Sequence, residues 1–328
     1  MTPFDYRRAR SVDDAVRLGA APGAHFLGGG TNLVDLAKGG VVRPLLLVDV
    51  SRLPLSDVAA TADGGLRIGA MARNSDVANH PLVRTRWPLL SQALLAGASP
   101  QLRNMATVGG NLMQRTRCPY FYDTGFEQCN KRVPGSGCGA IEGINRNHAI
   151  LGASAACIAT HPSDMCVALA ALRASVRVRG PRGERLVAFE QFHRLPGDTP
   201  QRDTTLLPGE LILGVELPPG GFAGHAHYLK VRDRASYAFA LVSVAAALDV
   251  RDGVVHDAAI ALGGVAHKPW RRPEPEARLV GRAPDDEAFG DAADLLLQGA
   301  HPASQNGFKV SLARRAIVRA LQTAGAQA

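Results

Sequence analysis

The chain has 328 residues, a net charge of +8, 46% apolar and 20% charged side chains; this excludes a disulfide-stapled miniprotein and a wholly disordered chain, and leaves room for two hydrophobic cores. The longest near-continuous apolar run, residues 238–248, is about half of the ~20 residues that cross a bilayer, so no transmembrane segment is expected; Met1 to Arg8 carry charge with no apolar stretch behind them, so no export signal is expected either. Arginine supplies most of the basic excess and is spread along the chain without a helix-turn-helix, finger or aromatic-interleaved stripe, so nucleic acid is not an expected partner.

In chain order, Ser11-Val12-Asp13-Asp14 reads as a capping box opening a helix, and residues 24–27 read as a strand that runs into Gly28-Gly29-Gly30. A short helix from Thr31 to Gly39-Gly40 follows, then a strand at 45–50 and a hairpin turn at Asp63-Gly64-Gly65 before a strand at 66–71. A helix at 89–95 precedes a second glycine loop, Thr107-Val108-Gly109-Gly110-Asn111. From 114 to 150 periodicity disappears while cysteine, glycine, proline and arginine accumulate; such a span needs a metal or cofactor to organise it. Order returns with a helix after Pro162-Ser163-Asp164, a hairpin at Gly180-Pro181-Arg182-Gly183 and a strand at 211–217. Pro218-Pro219-Gly220-Gly221 marks a domain boundary, beyond which strands at 227–232, 238–250 and 254–262 and helices at 285–297 and 309–321 predict an antiparallel sheet covered by helices.

Two glycine loops, each paired with a hydroxyl and an amide, suit phosphate oxygens, because glycine frees backbone N–H groups to approach them. Neither is a Rossmann fingerprint or a P-loop, so the expectation is a dinucleotide whose pyrophosphate lies between them. The five cysteines fall within 49 residues, with ten, eight, eighteen and eight residues between them. An odd count without an export signal argues against disulfides. Spacing alone leaves open an iron–sulfur cluster, zinc or unrelated buried thiols; Cys118-Pro119 and the Gly135-Ser136-Gly137-Cys138-Gly139 loop, with amides available to sulfide, favour iron. Cys166, within an apolar helix, reads as core.

With these residues in place, the chain resembles the FAD-binding medium subunit of the molybdenum hydroxylases, the group of xanthine and carbon monoxide dehydrogenases, over essentially its whole length. It is most similar to the 4Fe–4S-containing FAD subunit of heterotrimeric aldehyde oxidoreductases. The resemblance implies an α+β fold: a two-part FAD-binding domain of the vanillyl-alcohol-oxidase type over 1–220, a cluster insertion at about 114–160, and a small α+β domain over 221–328. It also implies that Leu27, Gly28, Gly29, Gly30, Thr31, Asn32 and Leu33, together with Thr107, Gly109, Gly110 and Asn111, hold the FAD pyrophosphate. Ser163 and Asp164 would contact the flavin half. In members without the extra cluster this Ser-Asp pair follows the second loop closely; here 51 residues separate Asn111 from Ser163. That insertion contains Cys118, Cys129, Cys138 and Cys157, which the resemblance makes the cluster ligands. Tyr228 to Arg232 and Ser236 to Ala240 resemble a strand pair reaching back over the flavin. Lys230 is either a solvated strand residue or a cation beside reduced flavin. His161 either touches the ring system or satisfies a loop carbonyl.

The implied partners are a large subunit with a molybdenum cofactor, where an aldehyde becomes a carboxylic acid, and a small subunit with two 2Fe–2S clusters. FAD would pass the electrons to an external acceptor: dioxygen, a quinone, ferredoxin or NAD, with NAD disfavoured because no Rossmann motif is present. Assembly is expected in the cytoplasm, with export on a partner's signal as the other destination. The competing readings are a medium subunit of an aromatic acyl-CoA reductase or xanthine dehydrogenase, a self-contained FAD reductase of the same fold, and a zinc-stabilised interaction module.

Overall fold

The computed structural model describes residues 1–326. Strands β1 (Asp5–Arg8), β2 (Ala24–Leu27) and β3 (Leu46–Asp49) form a parallel sheet in the order β1-β3-β2, with helices Val12–Gly19 and Leu33–Lys38 in the crossovers. Ser11 caps the first helix by accepting from the Asp14 amide, but the Asp14 carboxylate accepts from the Arg10 amide instead of closing the box on Ser11. The carboxyl end of β2 delivers the chain into Gly28. Ligands of open parallel sheets bind at that end of the strands.

A second sheet is antiparallel throughout: β4 (Val58–Ala60), β5 (Leu66–Gly69), β6 (Ser175–Gly180), β7 (Gly183–Ala188) and β8 (Leu211–Leu217), in the order β4-β5-β8-β6-β7. Helices Pro88–Ala96 and Asp164–Ala171 share its core. The latter is buried at all eight positions, as an apolar helix without a polar face must be.

The third sheet, β9 (Ala226–Val231), β10 (Val242–Arg251) and β11 (Val254–Gly263), is antiparallel with β10 in the centre. Val244, Ala246 and Leu248 of β10 join the core under helices Asp286–Leu296 and Phe308–Gly325. Ala245 and Ala247, on the opposite face, join the core of the second sheet. Burial on both faces explains the continuous apolar run, since a strand covered on one side only would alternate. No helix among the described residues is long and apolar enough to cross a membrane.

Three sequence expectations are corrected. The strand expected from Ala238 starts at Val242: Tyr237 adopts a left-handed φ of 53° and its carbonyl accepts from the Arg234 guanidinium, so residues 236–240 turn away from the sheet. The second glycine segment is helical, with Thr107 as N-cap of Val108–Leu112 and its hydroxyl accepting from the Gly110 amide. A helix at Pro273–Leu279, hidden by two prolines, has Pro273 in its first turn, where a missing N–H costs nothing.

The segment from 114 to 163 has one short helix, Pro119–Tyr122, and is otherwise turns. It is tied to the C-terminal part of the chain: the Ile150 and Leu151 amides donate to Val265 O, and the His161 amide donates to Ala266 O. The wholly buried Lys309 ammonium donates to His148 O at 2.9 Å and Gly264 O at 2.5 Å. Phe289, 1% exposed in the C-terminal core, sits where the helices meet the sheet. Phe289→Ala is expected to cost about 3–5 kcal/mol in urea unfolding, and a loss under 1 kcal/mol would contradict this packing.

Candidate functional site

The structure brings the two glycine segments into contact. A Cβ on Gly29 would lie 1.9 Å from Met105 O, and one on Gly28 would lie 3.0 Å from Thr107 Oγ1. Glycine is therefore required for the loops to close on each other. The contact opens onto a cleft of about 790 Å³, within the size range of cofactor sites. Thr31, Asn32, Gly110, Asn111, Ser163 and Asp164 form part of its wall, as do His161 and Lys230. Leu27, Gly28, Gly29, Gly30, Leu33, Thr107 and Gly109 do not line the cleft; they hold the two segments that do.

The residues around the cleft are pre-positioned by one another. Ser163 Oγ donates to Asn111 Oδ1 at 2.6 Å and accepts from the Cys166 amide, so it both caps the buried helix and orients the second segment. Asn32 Oδ1 accepts from the Arg115 amide at 2.9 Å. Asp164 accepts from Tyr228 OH at 2.7 Å and from Lys230 Nζ at 2.8 Å; the ammonium also donates to Ala96 O. The Lys230 and Asp164 side chains are 4% and 8% exposed. Lys230 is thus not a solvated strand residue: its ammonium lies in the cleft wall paired with Asp164, which offsets part of its charge.

His161 does not satisfy a loop carbonyl: its Nδ1 accepts from the Ser163 amide. The proton of the neutral ring is therefore on Nε2, which is buried without a partner. His193 donates from Nε2 to Leu112 O at 2.9 Å, leaving Nδ1 as an unpartnered acceptor. Burial holds the His161 ring well below the usual histidine range and pushes His193 down to about 4, so both are neutral. One atom each of His161, His193 and Cys166 lie within 4.8 Å of one another. A metal on His161 Nε2 would force the ring proton onto Nδ1, against the Ser163 N–H, so this trio does not suit a metal. Cys166 is fully buried core.

Sequence reasoning missed Asn74, whose buried Oδ1 has no partner and which lines the cleft. It also missed Arg117 at the cleft, whose guanidinium lies 5.1 Å from the ring centroid of Phe239, a residue of the 236–240 segment expected over the flavin. No local motif marks either. The orphaned Asn74 acceptor and His161 donor, with the glycine-closed loops, fit a large polar cofactor such as a dinucleotide.

A second pocket, of about 10 Å³, is lined by Cys118, Cys129, Cys138 and Cys157 together with Lys131 and His148. A metal centre entering it must move the thiols apart. Residues Cys129 and Cys138 face each other across an isolated antiparallel bridge. The glycine loop does not supply amides to the sulfurs as expected, because Gly135 and Gly137 both donate to Asn130 Oδ1. Backbone amides of Tyr120 and Phe121 serve Cys118 instead, those of Ala140, Ile141 and Ile158 serve Cys138, and that of Ala159 serves Cys157. Burial pushes the Cys118 thiol up to about 11, while the hydrogen bond between Cys157 and Cys138 lowers Cys138 and raises Cys157, holding the latter in its protonated form. Four thiols, three of them with backbone amide donors, fit a thiolate-ligated metal centre.

The family described as the FAD binding domain in molybdopterin dehydrogenase matches residues 2–220, and that of the CO dehydrogenase flavoprotein C-terminal domain matches residues 227–324. The chain belongs to the FAD-binding medium subunits of the molybdenum hydroxylases. It is 51% identical to the aldehyde oxidoreductase FAD-binding subunit PaoB of Escherichia coli K12, over 100% of both chains. It is 28% identical to the glyceraldehyde dehydrogenase medium chain of Sulfolobus acidocaldarius, over 97% of this chain and 95% of that one. Among solved structures, a carbon monoxide dehydrogenase from Hydrogenophaga pseudoflava superposes with a TM-score of 0.76 at 27% identity, over 99% and 98% of the two chains. This medium subunit is therefore an oxidoreductase component that binds FAD, with an FAD-binding domain followed by a small domain containing an antiparallel sheet.

Two substitutions test the geometry. Gly29→Ala is expected to abolish FAD retention on gel filtration by separating the loops; full retention would refute their close approach. Lys230→Met strands the Asp164 carboxylate and is expected to cost about 3–5 kcal/mol in urea unfolding, most of it regained in Lys230→Met/Asp164→Asn.

Proposed function

We propose that this medium subunit carries one 4Fe–4S cluster beside its FAD and serves a molybdenum-dependent aldehyde oxidoreductase. In this reading a large subunit oxidises the aldehyde to a carboxylic acid, and electrons arrive through the 2Fe–2S clusters of a small subunit and leave for an external acceptor. Bound FAD supplies the conversion between single-electron arrival and two-electron departure. The chain's own share is to hold the cofactor between its loops, with Asn74 and His161 offering the wall's unpartnered hydrogen-bonding atoms. Assembly takes place in the cytoplasm.

The observation that carries the cluster is the meeting of four cysteines, 118 to 157, in one pocket of a segment otherwise nearly without regular structure. A span of this length without regular structure is uncommon in a compact domain, and a bound centre gives it a physical reason. The aldehyde substrate class rests on the full-length likeness to PaoB.

The test is chemical analysis of the anaerobically purified chain. About four irons, four sulfides and one FAD per chain are expected. Cys118→Ser and Cys138→Ser are expected to lose iron while keeping FAD, and Cys166→Ser to keep both. Zinc in place of iron would overturn the cluster, and reconstituted complex that is inert toward aldehydes would overturn the substrate class.

A further inference from the structure

Lys131 is the one lysine of the cysteine pocket, and its side chain is 2% exposed. Its ammonium has three donors and all three are placed: on Pro200 O at 2.7 Å, on Asp203 Oδ1 at 2.5 Å and on His267 Nε2 at 2.7 Å. His267 can accept at Nε2 because its Nδ1 donates to Arg194 O at 2.9 Å, which fixes the ring as the neutral tautomer. Asp203 in turn accepts from Arg115 Nε at 2.7 Å. Two cations share one carboxylate, so this partly buried group, with the Lys131 ammonium at its buried end, carries a net positive charge next to the four thiols.

A buried lysine is an expensive way to fill space, since an apolar side chain of similar length avoids the desolvation cost. Its field acts where the surroundings are poorly screened. Reduction of a thiolate-ligated cluster adds one electron and one negative charge without making or breaking a bond, and reduction potential follows the charge around the cluster. A fixed cation lining the pocket therefore favours the reduced form.

We infer that Lys131 is a positioning charge that raises the reduction potential of the cluster, and that Asp203 limits how much of that charge the cluster feels. This rests on the cluster reading above. It assigns the pair an electrostatic role distinct from ligation: Lys131 makes the cluster a better acceptor for the single electrons delivered by the partner's 2Fe–2S centres.

The test uses the assembled complex, purified without oxygen, with iron and sulfide determined first and the 4Fe–4S signal then followed by EPR through a dithionite titration. Lys131→Gln is expected to keep its iron and shift the midpoint to more negative potential. Asp203→Asn is expected to shift it the other way, and Lys131→Arg to leave it near wild type. Opposite signs are a signature that a merely structural role would not produce. A fully loaded Lys131→Gln complex with an unmoved midpoint overturns the inference, as do shifts of the same sign in Lys131→Gln and Asp203→Asn. If Lys131→Gln does not hold its cluster, the sign of the Asp203→Asn shift decides. Wild-type complex without iron beyond its 2Fe–2S centres overturns both the cluster reading and this one, and is recognised at the iron analysis before any titration.

Discussion

The buried carboxylate of Asp164 is the point on which the halves of the molecule depend. It begins a helix with no exposed face, and it accepts hydrogen bonds from Tyr228 and Lys230 of β9. Ser163, one residue earlier, caps the same helix and fixes Asn111. The first turn of one helix thus joins the second glycine segment, the cleft wall and the C-terminal sheet. Because a lone buried charge is costly, the acid and its two partners form a set that must be kept together.

The cysteine-bearing segment solves a different physical problem. It contributes little regular structure and must find partners for its backbone elsewhere. Asn130, Asn145 and Asn306 side chains and the Lys309 ammonium supply many of them, spanning turns and bridging to the C-terminal helices. The four thiols and the amides pointing at them then occupy the centre of a scaffold built largely from side chain to backbone hydrogen bonds.

Much of this was legible in the sequence for identifiable reasons. Glycine clusters mark close backbone approach, and Gly28-Gly29 does meet Met105 to Thr107. The strand at Leu211–Leu217 and the turn at Asp252-Gly253 carry strong local signals. The partners of Lys230 and Asp164 were not legible, because residues 66 apart meet only after the third sheet has docked. The same holds for Asn74, whose only distinction is an unpaired oxygen at the cleft. The glycine amides of 135 and 137 misled because the preceding Asn130, whose side chain reaches forward over a turn, accepts from them first.

The central strand β10 belongs to two cores at once, its odd-numbered alanines facing the FAD-binding part and its even-numbered residues facing the helices. A strand shared in this way cannot act as a hinge. The C-terminal sheet cannot swing clear of the cleft without exposing the apolar face that Ala245 and Ala247 bury against the FAD-binding part. The turn at 233–241, which stands outside the sheet, borders the cleft without belonging to either core.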